Sequence, residues 1–149
     1  MGNIMNDTLT HKPAIWYWFI SALALLWNFG GVMAFIGQVT MKPEDIEKLT
    51  AAQQAAMVGL PTWMTAVFAI AVFAGALGCL LLLLRKSVAI WLFVISLIAV
   101  LIQQIYWWVL SDIGKSMSSQ DLVMTISIPI VAIFLIWFAR MAKGRGWVS

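Results

Sequence analysis

The sequence predicts an all-α integral membrane protein: a four-helix transmembrane bundle with a short outer helix between the first and second spans. Three observations carry this. The chain is 63% hydrophobic and only 10% charged, whereas soluble domains carry about 25% charged residues. So many apolar side chains cannot all be hidden inside a globule of 149 residues, and the bilayer is the better solvent. Four apolar runs, at 15–36, 62–84, 88–109 and 125–139, contain no charged residue. The length suits a single domain, 1–149.

Run 15–36 has the roughly 20 residues that a hydrocarbon core of about 30 Å requires. Lys12 before it gives it something of the look of a secretory leader. Its length, Asn28 and the lack of a small-x-small cleavage site predict a retained span instead. The following stretch, KPEDIEKL, puts Pro43 at the start of a short helix with acids in its first turn. TAAQQAAM then offers Thr50 as a cap with Gln53 as its reciprocal partner. Together these form a polar outer lid lying on the bundle. Gly59 and Pro61 stop that segment and launch the second span. The third span follows a basic turn at Arg85 and Lys86. The fourth run is short by hydropathy, but Ser118 with Asp121 three residues on makes a capping-box start. That extends the helix to about 119–141. Inside it, Pro129 frees the carbonyl of Thr125, with the hydroxyls of Ser127 and Thr125 close enough to help satisfy it.

Charge sets the direction. The N-tail, the 85–87 turn and the C-tail hold Lys12, Arg85, Lys86, Arg140, Lys143 and Arg145 against Asp7 alone. The other two connections hold Lys42, Lys48 and Lys115 against Glu44, Asp45, Glu47, Asp112 and Asp121. The excess of Lys and Arg predicts that both termini and the short turn are cytoplasmic. Trp16, Tyr17, Trp18, Trp91 and Trp137 then lie near the inner boundary, with Trp63, Tyr106, Trp107 and Trp108 near the outer one, where amphipathic rings prefer to sit.

The stretch LLWNFGGVMAFIGQ sets an asparagine and two glycines in mid-span. At about 1.5 Å per residue, Asn28 lies roughly 20 Å above the inner end of its helix and Gln103 roughly 22 Å above the inner end of the third. Each belongs to a face of helical spacing: Ser21, Ala24, Asn28 and Gly31 on one, Ser96, Ala99, Gln103 and Tyr106 on the other. Two readings follow. The amides clasp one another across closely packed helices, worth about 1 kcal/mol or less. Alternatively, Asn28 and Gln103 face a common space with Tyr106 and Trp27 at its outer rim, a site for a small neutral ligand. On the second span Ala71, Gly75 and Cys79 recur every four residues, with Ala74 and Gly78 beside them. With Gly31 on the first span they form a helix-packing device, one that serves the interior of the bundle or a homo-oligomer contact equally well.

Absences narrow the function further. No Asp, Glu, Lys, Arg or His lies in the apolar runs, whereas proton-coupled pumps normally need one. Cys79 has no partner cysteine for an internal disulfide and no metal-type cluster around it. His11 sits in the N-terminal tail. No nucleophile–base pair, metal motif, phosphate loop or cofactor motif is present, so no catalytic residue is assigned. The basic residues sit at helix ends rather than on one soluble face, which excludes a nucleic-acid partner.

LLWNFGGVMAFIGQ, GLPTWMTAVFAIAVFAGALGCLLLLLRK and ARMAKGRGW together resemble a bacterial family of small four-span membrane proteins commonly catalogued as sugar transporters. The order span, outer helix, Pro-led span with paired glycines and basic turn is also similar to DoxX-like four-helix proteins. The resemblance implies a bacterial inner-membrane protein and a carrier for a small neutral solute such as a sugar. The lack of any coupling residue leaves a second reading, a non-catalytic accessory or structural subunit of a larger membrane complex. Spans one and three each carry an amide at one depth, and spans two and four each have a proline near their outer end, Pro61 and Pro129. A parallel duplication would produce that pattern.

Overall fold

The computed structural model describes residues 11–149. Asp7, part of the charge count above, lies outside them. The described residues form helices without a strand: α1 Ile15–Val39, α2 Pro43–Ile46, α3 Ala51–Val58, α4 Thr62–Leu83, α5 Ala89–Ile105 and α6 Ser119–Gly144. α5 continues into a π-helical turn, Tyr106–Leu110, and a 3-10 turn, Ile113–Ser116, precedes α6. Four helices, Ile15–Val39, Thr62–Leu83, Ala89–Leu110 and Ser119–Gly144, are long and apolar enough to cross a membrane. The protein is a multi-pass membrane protein built as an all-α four-helix bundle.

The helix boundaries follow from the local chemistry. Thr50 Oγ1 accepts from the Gln53 N–H at 3.3 Å while Gln53 Oε1 accepts from the Thr50 N–H at 3.2 Å, which starts α3. Ser118 and Asp121 do the same for α6. Each box satisfies two of the donors that a helix start leaves orphaned. Pro43 opens α2 and Pro61 caps α4. α1 runs to Val39 and α6 to Gly144, each three residues beyond its expected end, because hydropathy registers only the apolar part of a helix.

Consecutive spans run antiparallel. α1 packs on α4, α4 on α5 and α5 on α6. The small residues of α4 serve these internal contacts. A Cβ on Gly78 would lie 2.7 Å from the Phe93 ring, and one on Gly31 would lie 3.2 Å from Val72. Ala71, Ala74, Gly75, Gly78 and Cys79 are all buried. The stripe is therefore spent inside the bundle and is not available as an oligomer contact.

One end of the bundle is tightly closed. Here, at the tail end, Tyr17, Leu82, Phe93, Leu135, Phe138, Trp147 and Val148 form one buried cluster. The Tyr17 hydroxyl donates to the Leu82 carbonyl. α4 and α6 both end in the pattern where the chain turns left-handed and two N–H groups reach back to orphan carbonyls. At α6 the left-handed residue is Gly146, φ 71°, with Gly146 N donating to Lys143 O and Trp147 N to Ala142 O. At α4 it is Arg85, φ 59°, a conformation that costs a side-chain-bearing residue about 1–2 kcal/mol. Arg85 is held there from several sides. Its Nε donates to Trp147 O at 2.7 Å and its carbonyl accepts from Ser149 N at 3.0 Å. The segment after α6 is thus tied to the α4–α5 turn. Arg145 adds its guanidinium over the rings of Trp147 and Trp16, 5.1 and 5.8 Å from their centroids.

The opposite, loop end is more polar. α2, α3 and the 111–118 connection lie across it. Gln54 Nε2 ties α3 to the preceding turn through the carbonyls of Glu47 and Leu49. Lys115 pairs with Asp112 at 2.7 Å and holds that carboxyl below its usual range.

Candidate functional site

Between the closed end and the loop end, all four spans wall a cavity of about 480 Å³. Its size falls within the roughly 300–1,000 Å³ typical of small-molecule sites. Asn28 and Gln103 both line it, as does Trp27. The faces that carry the amides are turned inward: Ser21, Ala24, Ser96, Ala99 and Gln103 are buried.

The two amides do not meet in a clasp. Asn28 Nδ2 donates to Ala24 O at 2.9 Å, one turn back, and to Cys79 Sγ on α4 at 3.3 Å. Its Oδ1 lies against the backbone of Gly75, where a Cβ would stand only 2.2 Å away. Asn28 is therefore seated by α4, and the glycine is what makes room for it. Ser96 Oγ, 3.3 Å from where that same Cβ would stand, donates to Ala71 O at 2.7 Å and joins α5 to α4. Gln103 behaves differently. It is only 8% exposed, faces the cavity, and its side chain bonds no described residue. Its amide opens onto the cavity, where a bound molecule can reach both its donor and its acceptor.

Tyr106 does not sit at the cavity rim. Its hydroxyl donates to Gly59 O at 3.4 Å and its ring packs edge-on to Trp63, centroids 5.6 Å apart. The expected face ran straight up α5, but the helix widens into a π turn at Tyr106, which changes the angle at which side chains emerge. Trp107, on that turn, lines the cavity instead.

Gln104 was not singled out by the sequence reading. Its Nε2 donates to Thr125 O at 2.7 Å, and its Oε1 accepts from Trp108 Nε1 at 3.1 Å. The Thr125 carbonyl is the one that Pro129 deprives of its helical donor. Ser127 bonds Val123 O instead, and the Thr125 hydroxyl turns to Met117 Sδ. The α5 amide, rather than a local hydroxyl, repairs the break. The signal was present: a free carbonyl in one span and a spare amide at similar depth in the next.

A second cavity of about 630 Å³ lies at the loop end, lined in part by α3 residues Ala52, Ala56 and Met57. Ala34, Trp107, Met124 and Ile128 line both cavities. The two spaces are stacked, with these four side chains at their junction. At the other extreme Phe93 and Leu135 form the floor, where the tail-end cluster begins.

The lining holds no Asp, Glu, Lys, Arg or His. Among the described residues no group of three or more His, Cys, Asp or Glu is placed to hold a metal. What the site offers is apolar and aromatic surface with one unengaged amide. No family model, curated protein or solved structure matches the chain.

Proposed function

We propose that this protein binds a small neutral molecule within the membrane, in the cavity lined by Asn28 and Gln103. The observation that carries this reading is Gln103. Its side chain bonds no described residue and lines an otherwise largely apolar cavity, which supports a ligand as its partner. An uncharged site suits an uncharged ligand, because a charge at this depth is costly. The sugar implied by the sequence resemblance suits it less well. A sugar presents a hydroxyl on nearly every ring carbon, and each would need a partner here. The Asn28, Gln104 and Ser96 donors are already engaged within the protein.

Lys12, Arg85, Lys86, Arg140, Lys143 and Arg145 all belong to the tail end, which supports placing that end in the cytoplasm. The loop-end space then lies on the outer side, separated from the cavity by Ala34, Trp107, Met124 and Ile128. A carrier cycle requires the tail-end cluster to part, and the bonds around Arg85 oppose it. A one-sided binding site is the better fit.

Organic extraction of the purified protein, followed by untargeted mass spectrometry, tests the proposal. A neutral compound enriched with the unmodified chain and lost from Gln103→Leu supports it. Equal recovery from both, or no enrichment at all, overturns it.

A further inference from the structure

We propose that the mid-bundle cavity is loaded sideways from the bilayer, through a slot between α1 and α6. The ligand is a neutral amphiphile with one hydrogen-bonding head and an apolar body. This rests on the ligand-binding reading above and adds the route and the ligand class.

Exposed lining residues and sparse packing between the two helices that flank them mark the slot. Leu26, Trp27, Gly30 and Ala34 of α1 line the cavity and are all exposed, Leu26 at 68%. Met124 of α6 does the same. α1 packs on α4 and α6 on α5, while α1 and α6 touch each other only sparsely, so the wall is weakest between them. A Cβ built on Gly30 would meet nothing within 4 Å, so α1 has open space beside it at this height. Where α1 and α6 do pack closely, they do so near the tail end, through Trp16, Tyr17 and Phe138 with ring centroids 5.6–5.9 Å apart.

Depth identifies the solvent beyond the slot. Trp27 lies about 18 Å from the start of α1 at 1.5 Å per residue, near the middle of a hydrocarbon core of about 30 Å. The slot therefore faces acyl chains rather than headgroups or water. A molecule arriving this way must already be dissolved in lipid. The lining then specifies its head: no charged partner is available, and Gln103 is the lining amide left unengaged. One alcohol or N–H amide can use both the donor and the acceptor of Gln103. Entry from the loop end instead has to pass Trp107, Met124 and Ile128.

The test uses the full chain in lipid nanodiscs with a long-chain primary alcohol bearing a diazirine. Illumination and peptide mass spectrometry read which residues are labelled. Labelling at the depth of Val100 and Gln103 is expected in the unmodified chain. Leu26→Trp, on the lip of the slot, and Gly30→Leu, where added atoms meet open space, should each slow that labelling about tenfold after the alcohol is added, equivalent to about 1.4 kcal/mol on the entry barrier. Labelling of exposed Ile133 should not change. Ala56→Trp, in the loop-end space, should leave cavity labelling intact. If Ala56→Trp abolishes it and the slot variants do not, entry is from the loop end: the lateral route is wrong and the binding site stands. If the unmodified chain takes no label in the cavity, both ideas fall together.

Discussion

Gln103 and Gln104 are neighbours in the chain with opposite hydrogen-bonding fates, and their substitutions should separate accordingly. Gln104→Leu strands the Thr125 carbonyl beside Pro129 and should cost about 1–3 kcal/mol, read as a lower unfolding midpoint in mild detergent. Gln103→Leu removes an amide with no protein partner. It should leave that midpoint unchanged or raised while ligand binding is lost. A fall as large as that of Gln104→Leu would show a structural role and remove the main support for the site. Gly75→Ala drives a methyl group into the seat of Asn28, and such overpacking costs about 1–3 kcal/mol. The loss should appear in the monomer's own stability, since Gly75 faces α1 and α5. Much of the site was legible at this scale. Counting residues places Asn28 and Gln103 at one height, and they do share a cavity. Counting gives no partner, however. Asn28 bonds along its own helix and across to Cys79 because Gly75 leaves space there, a fact of close approach between helices that a single span's spacing does not contain.

The capped helices were readable because capping is local: Thr50 with Gln53, and Ser118 with Asp121, lie three residues apart. Thr50→Ala should cost α3 about 1 kcal/mol. Hydrogen exchange should speed up across Ala51–Val58 and stay unchanged in the spans, and faster exchange throughout would mean that α3 is part of the core rather than a cover. The π turn at Tyr106–Leu110 was not readable. It depends on how the end of α5 meets α6 and the 111–118 connection, and it is what moves Tyr106 away from the cavity and brings Trp107 to it. The repair of the α6 backbone at Pro129 was half readable. The proline announces a free carbonyl, but the donor comes from another helix.

For the molecule as a whole, hydropathy and the placement of charge were enough to foresee four spans, because the bilayer imposes the same demand on every segment. Reporter fusions after Ser149 and within 111–118 should give opposite signals, cytoplasmic for the first. The reverse result would invert the side on which the loop-end cavity opens. The cavity lining contains no titrating Asp, Glu, Lys, Arg or His, so ligand affinity should stay flat between about pH 5 and pH 9. A sigmoidal dependence, measured by retention of the extracted compound, would place a charged group in contact with the ligand. With the small-residue stripe of α4 occupied internally, pull-down from native membranes should recover partners, if the chain is an accessory subunit, even when Gly31→Ala is introduced.

The left-handed turn at Arg85 has a mechanical consequence. By binding the chain beyond α6 to the α4–α5 turn, it makes the tail end a pivot. Relative motion of α1 and α6 is then a rotation about the Tyr17–Phe138 contact, and displacement grows in proportion to distance from it. Asn28 lies about 16 Å from Tyr17 at the helical rise per residue, so a rotation of ~5° about that contact moves it by about 1.4 Å. Any opening of the bundle would then work as a pair of tongs hinged at the tail end. Its jaws widen most where the slot and the loop-end space lie, so a change in bilayer thickness or lateral pressure would act on the ligand's entrance with the longest available lever arm.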